Sequence, residues 1–302
     1  MNDRDELLEL FSDLKSKYST LLTEFSTDEQ YINARFEGLG IIPEDSNDPG
    51  LSLTKPSNIY DSVENAAAHI LSFPKIAVPV RMVTRDKEAA IKIAQRKKLF
   101  LDLWWDRVFN EQGDPLGVAK KALIKGKAVL KLDIDWALLP ALGDNPTTAQ
   151  ARKFKDTLQR VARSKFLWKL RSIPKETVFE DIENPHDPAY VFEAYSVTVG
   201  EARRRWPHVA RTLANRTDLD RVEYVEYWSK PRGDDAGEFV QWIDRERVHD
   251  AANPYSWETS ISTADTPDYD GYVPYAIGDP GWGDIGPETK PEDRYISLVR
   301  PM

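Results

Sequence analysis

Thr198–Ala210 reads TVGEARRRWPHVA, Arg221–Lys230 reads RVEYVEYWSK, and Phe239–Val248 reads FVQWIDRERV. The reading of these three stretches decides the fold. Thr198 followed by Glu201 has the spacing of a capping box, in which each side chain satisfies a free amide at a helix start, so a helix begins there and ends at Trp206-Pro207. In 221–228, Val222 and Tyr224 share one face while Val225 and Tyr227 lie on the other. The alternation predicts either a strand buried on both faces or a bulge that shifts the register. Pro231, Gly233 and Gly237 turn that strand back into a second one, Phe239–Ile243 at the head of FVQWIDRERV, giving a hairpin. Beyond it come Asn253-Pro-Tyr, a Tyr272-Val-Pro-Tyr strand, a Gly281-Trp-Gly turn and the run PEDRYISLV at 291–299.

Upstream of this region the periodicity turns helical. Leu7, Phe11, Leu14, Tyr18, Leu21 and Phe25 are spaced 4-3-4-3-4, which predicts an amphipathic helix over 4–25 packed on a surface, with Asp3 as N-cap. Glycines and prolines across 38–57 predict a linker or arm. A helix is predicted over 58–72, an extended edge segment over 74–83, and a long helix from Thr84 to about residue 110. The apolar line of that long helix is Ala89, Ile93, Phe100, Leu103, Trp104 and Val108. A shorter helix at 116–125 leads by a Lys-Gly turn into a strand over 127–136. Alternation there gives Ala128, Leu130, Leu132, Ile134 and Trp136 one face, and leaves Lys127, Lys131, Asp133 and Asp135 on a wet one. A basic helix at 147–163 and strands at 166–172 and 189–197 complete the series. The class is α+β, helices crowding the first half and antiparallel strands the second. The expected division is 1–57 (helix and arm), 58–220 (mixed domain) and 221–302 (β-rich hairpin region).

Composition narrows the chemistry. The 302 residues include no cysteine, which removes disulfides, thiolate nucleophiles and Cys-ligated metals. The acidic N-terminus carries no apolar signal core, and no run reaches the roughly 18 apolar residues of a membrane span. A soluble intracellular protein without membrane partners is expected. Net charge is −9, unevenly spread: −8 over 1–80, +11 over 81–171 and −12 over 172–302. The basic middle is the best place for a nucleic acid or an acidic partner. Its candidates are Lys120, Lys121, Lys125, Lys127 and Lys131, then Arg152, Lys153, Lys155, Arg160, Arg163 and Lys165. The adjacent Trp104 and Trp105 cannot both face one core, so one is a candidate subunit contact.

Motifs of catalysis are weak. His69, His186, His208 and His249 lack metal-ligand spacing, and His69 is expected as a packing residue. Asp133 and Asp135 share a strand face, with Lys131 beside them for charge balance. Gly281–Gly286 matches Gly-x-Gly-x-x-Gly, but prolines follow where a phosphate-binding helix would have to open. No Walker A loop and no Gly-x-Ser-x-Gly elbow occur. No catalytic residue, metal or cofactor is assigned.

The order of segments resembles the N-terminal part of a tailed-bacteriophage portal (head–tail connector) protein. The carriers are IYDSVENAAAHILSFPKIAVPV from Ile59, FLDLWWDRVF from Phe100, KKALIKGKAVLKLDID from Lys120, RSIPKETVFEDIENPHDPAY from Arg171, TVGEARRRWP from Thr198, and the hairpin around Trp228 and Trp242 with NPY and YVPY after it. They span about four fifths of the chain. The resemblance implies a structural virion protein, not an enzyme. Such proteins form a homo-oligomeric, usually dodecameric ring at one capsid vertex, present in the host cytoplasm during assembly. The ring nucleates capsid assembly, docks terminase and then tail or adaptor proteins, and passes double-stranded DNA during packaging and ejection. It also implies long channel-lining helices beyond a segment like PEDRYISLVRPM. Two other readings stand beside it. Many Trp and Tyr with abundant carboxylates fit a carbohydrate-active or carbohydrate-binding protein, and the basic segment 81–171 fits a nucleic-acid-binding adaptor.

Overall fold

A computed structural model describes residues 3–32, 57–71, 87–106, 114–134, 147–164, 168–185, 187–259, 262–263, 267–281, 283 and 289–297. The helices are α1 (Asp3–Lys17), α2 (Ser19–Ile32), α3 (Ser57–Leu71), α4 (Lys87–Trp104), α5 (Pro115–Lys125), α6 (Thr148–Ser164), α7 (Val199–Arg205) and α8 (Pro291–Arg294). The strands are β1 (Ala128–Ile134), β2 (Trp168–Ile173), β3 (Val178–Glu180), β4 (Tyr190–Thr198), β5 (Arg221–Ser229), β6 (Glu238–Ile243), β7 (Glu246–Ala252), β8 (Ser256–Glu258), β9 (Tyr269–Gly271) and β10 (Tyr275–Gly278). Helices dominate the first half and antiparallel sheets the second, so the fold is α+β. The expected segments at 74–83 and over most of 38–57 lie outside the described residues.

Contacts divide the chain into two compact units that it visits alternately. One comprises 1–60, 121–129 and 173–302, the other 61–120 and 130–172. This division differs from the expected 1–57, 58–220 and 221–302, because α1 and α2 pack with the strands of the second half. They seal one face of the sheet that the second half builds.

In the first unit, β3 to β7 form a five-stranded antiparallel meander in chain order. Both faces of β5 are buried, without a bulge in its pairing to β4 or β6. That settles the alternation ambiguity in favour of two covers. The first cover is α1–α2. Phe11, Leu14, Tyr18, Leu21 and Phe25, all on the predicted stripe, pack with Phe179, Phe192, Val225, Tyr227, Val240 and Trp242. Phe11 stands edge-on to Phe179 at 5.6 Å, a favoured geometry for aromatic quadrupoles. The predicted single helix carries a short break at Tyr18, yet the ladder runs on from Tyr18 N to Leu14 O and Leu22 N to Tyr18 O, each 2.9 Å. The second cover is α7 and the turns after it: Val199, Ala202, Trp206, Val209 and Leu213 pack on Val197, Val222, Tyr224 and Ile243. Thr198 Oγ1 accepts from Glu201 N at 3.2 Å, the Thr half of the predicted box.

Three expectations are corrected here. The run FVQWIDRERV does not continue as one strand: β6 takes the expected Phe239–Ile243, and then Asp244 and Arg245 take φ of 48° and 70° and make a tight turn into β7. The Tyr272-Val-Pro-Tyr strand starts only at Tyr275, after Pro274, which cannot donate to a ladder. His69 is exposed on α3 rather than packed. The Lys-Gly turn after α5 is present. Gly126 has φ of 69°, and a Cβ there would sit 2.5 Å from the Tyr295 backbone, so the turn needs glycine.

In the second unit, β1 lies beside β2, and Asp133 meets Arg171 across them at 3.3 Å. The predicted Asp133–Asp135 pair therefore has a basic partner, and Asp135 lies outside the described residues. α6 starts from a capping box that sequence reading missed. Thr147 N donates to Gln150 Oε1 at 2.8 Å, and Gln150 N donates to Thr147 Oγ1 at 3.3 Å. The Thr-x-x-Gln signal for it stood in the sequence.

Candidate functional site

The predicted basic cluster does not form one surface. Lys127 is fully buried, and Lys131 is 4% exposed. The face that alternation gave to water is covered, because β1 is buried along its first residues on both sides. Lys127 Nζ donates to Glu180 Oε2 at 2.5 Å and to the Val178 carbonyl at 3.0 Å, and lies 5.0 Å from the ring centres of both Tyr18 and Tyr295. The Tyr295 hydroxyl closes the cluster on Glu180 Oε1. Burial pulls Lys127 below the ordinary lysine range, and the Glu180 charge opposes that shift. Burial first, then the Glu180 charge, push the Tyr18 and Tyr295 phenols well up. Elsewhere in the cluster, Lys125 meets Glu176 Oε1 at 2.9 Å and Lys120 pairs with Glu64. Lys121 is exposed. These five lysines thus serve several different local arrangements.

A basic surface does exist on α6. Arg152, Lys153, Lys155 and Arg160 are exposed there, with Phe154, Leu158 and Val161 half-buried on the other side. Arg152, Lys153 and Arg160 line a surface groove of about 710 Å³ that also includes Asp156. Arg163 belongs to the same helix, but its side chain lies outside the described residues, as does Lys165.

The second surface is on α4, and its polarity is inverted. Small residues, Ala90 and Ala94, are buried, while Ile93, Leu99, Phe100 and Leu103 are 51%, 62%, 53% and 44% exposed. At 100° per residue these four fall within about a third of the helix circumference, and Lys92 and Arg96 fall among them. The predicted apolar line is real at Ile93, Phe100 and Leu103, but it faces outward. Trp105 is half-buried; the Trp104 side chain lies outside the described residues.

The third arrangement was invisible to sequence reading. Glu193 of β4 and Glu226 of β5 are direct cross-strand neighbours, and each is 5% exposed. The Tyr275 hydroxyl stands between them, 2.7 Å from Glu193 Oε2 and in short contact with Glu226 Oε1. Trp228 Nε1 donates to Glu226 Oε1 at 2.9 Å and Tyr224 Oη to Glu226 Oε2 at 2.7 Å, while Gln241 Nε2 donates to Tyr224 Oη at 2.7 Å. Burial, then Glu226, raise the phenols of Tyr224 and Tyr275 well above the usual range. Two carboxylates converge here, yet the phenol fills the gap that a sugar would have to enter. The only sequence trace was a Glu inside each of two aromatic-rich strands, which alternation alone reads as a charged edge.

Among the described residues, no group of three or more His, Asp or Glu could hold a metal ion, and no helix is long and apolar enough to cross a membrane. No family model matches the chain, and no curated protein matches it.

Proposed function

We propose that this chain is a structural subunit of a phage portal ring, a homo-oligomer at the capsid vertex that docks terminase and tail proteins and lets double-stranded DNA pass. The ordered series of segments from Ile59 to Tyr275 supports the reading. The observation that carries it is the outward apolar face of α4. Four large apolar side chains on one helix face make a surface that water penalises and a partner would cover. A ring needs two different patches per subunit that meet head to tail. Lys92 and Arg96 within the apolar face add positive charge, and the segments 1–80 and 172–302 carry net −8 and −12 with which a neighbouring copy can answer it.

Sedimentation and negative-stain imaging of the purified protein test this. Closed rings are expected, and Leu99→Asp with Phe100→Asp should shift the population to monomers while circular dichroism stays unchanged. A protein that stays monomeric at every concentration overturns the reading. The adaptor reading is kept for one observation, the exposed Arg152, Lys153, Lys155 and Arg160 on α6. A monomer that binds duplex DNA with a steep salt dependence would favour it.

A further inference from the structure

We propose that the Trp257–Asp270–Tyr272 side of the β8–β9 ribbon is the seat on which the outward face of α4 from a second copy docks. The inference rests on the ring reading and supplies what that reading leaves open. A head-to-tail contact needs a second patch, different from the first.

Register fixes this side of the ribbon. Trp257 pairs directly with Asp270, and Ser256 with Gly271. Directly paired residues project to one side, and so do residues two apart along a strand. Tyr255, Trp257, Asp270 and Tyr272 therefore share a side. The ring contacts agree. Tyr255 and Tyr272 stack at 5.1 Å, and Trp257 lies 6.1 Å from Tyr272. Tyr255 stacks in turn on Trp228 at 5.7 Å, and Trp228 on Phe239 at 3.9 Å. The row of rings thus starts in the five-stranded sheet and ends at Trp257, which is 48% exposed. Its base is pinned. Asn253 Nδ2 donates to the Ser229 and Tyr272 carbonyls at 2.8 and 3.1 Å, and Asn253 Oδ1 accepts from Tyr255 N at 2.9 Å. A Cβ at Gly271 would meet the Tyr255 carbonyl oxygen at 2.5 Å, so β9 approaches that backbone as closely as only glycine allows. A ring held this firmly loses little freedom on binding.

An exposed Trp on a fixed base is the kind of anchor on which interfaces concentrate their energy. Its surroundings are acidic. Asp270 is exposed beside it, and Glu258 is exposed on the other side of the ribbon. Arg232 stands in the turn joined to β9 by the Gly233–Tyr269 bridge, but Asp234 and Asp235 stand there too. The α4 face answers both properties. Ile93, Leu99, Phe100 and Leu103 offer apolar surface to the indole, and the exposed Lys92 and Arg96 lie among them to meet the carboxylates. A guanidinium can also lie on the indole face. The basic face of α6 is a poorer match, because its large apolar residues Phe154, Leu158 and Val161 are half-buried on the opposite side. Two copies of the ribbon would set carboxylate against carboxylate.

The test uses the full chain, whose lack of cysteine leaves introduced thiols as the only ones. Arg96→Cys and Asp270→Cys alter exposed positions and leave the apolar anchors in place. Under mild oxidation the chain carrying both should give a ladder of disulfide-linked multimers on non-reducing gels. A mixture of the two single variants should stop at a dimer, in greater yield than either alone. Arg96→Glu or Asp270→Arg should each raise the concentration at which rings form about tenfold, and the two together should bring it back. A wild-type protein that stays monomeric sinks the ring reading and this inference with it. Rings without a ladder, a disulfide closed within one chain, or charge reversals that do not rescue one another overturn this inference alone and leave the ring reading standing.

Discussion

Lys127 has no exposed surface, and it pairs directly with the carboxylate of Glu180, which is itself fully buried. Taking two charges out of water costs several kcal/mol each, so the pair holds only while both members and their hydrogen bonds are present. Lys127→Met should therefore lower stability by about 3–5 kcal/mol, because Glu180 is left uncompensated. Lys127→Met with Glu180→Leu should restore most of the loss, and urea denaturation of the three proteins checks both. Alternation along 127–136 registered the polarity of this lysine but could not register what covers it. Residues some 50 and some 170 positions further on supply that cover. Separations of 49 and 82 residues likewise hid the Glu193–Tyr275–Glu226 trio.

The phenols give a prediction in pH. Tyr18, Tyr224, Tyr275 and Tyr295 are all raised well above the ordinary value of 10.0 by burial and by neighbouring carboxylates. Each keeps its proton in the folded protein after the unfolded chain has lost it. Their contribution is whole below about pH 10 and is lost as pH rises beyond it. Lys127 acts in the opposite sense, since burial lowers it, but it is one group against four. Alkaline unfolding should begin above about pH 10, with tyrosinate absorbance appearing together with the loss of circular dichroism. Complete tyrosinate formation by all twelve tyrosines while the fold persists would contradict this.

At the scale of elements, the α1–α2 stripe was the most legible feature of the chain, because six apolar residues at 4-3-4-3-4 spacing admit one helical face. Its role was less legible. The stripe does not cover a surface loosely; Phe11, Leu14, Tyr18, Leu21 and Phe25 supply much of one core, joined there by Tyr295. Leu21 has no exposed area there. Leu21→Ala should cost about 2–5 kcal/mol, read as a lower midpoint in thermal or urea unfolding monitored by sheet signals. A loss under about 1 kcal/mol would mean that the helices only lean on the sheet. The turn between β6 and β7 was illegible for a local reason. Two-residue hairpin turns favour Asn-Gly or Asp-Gly, and here Asp244–Arg245 adopt positive φ without glycine. The polarity of α4 was half legible: spacing revealed an apolar line, and only the burial of Ala90 and Ala94 opposite it revealed which side faced out.

Across the whole molecule, the class was readable because helical and alternating periods occupy different halves of the chain. The two units were not readable, since each is assembled from pieces that the chain leaves and rejoins. Composition found the basic middle segment, but charge along a sequence is not charge on a surface. Lys127 and Lys131 went inside, and α6 kept an exposed basic face. The order of construction follows from the same return of the chain. α1 and α2 bury their apolar stripe on strands that follow them by some 150 residues or more, and Tyr295 closes over Lys127 only near the last described residues. A growing chain would thus carry a sticky, unsheltered amphipathic helix until the strands around Phe179 to Trp242 have been made. Contacts of such long sequence separation slow folding, so refolding should leave that stripe open to the wrong neighbour until the strands close on it.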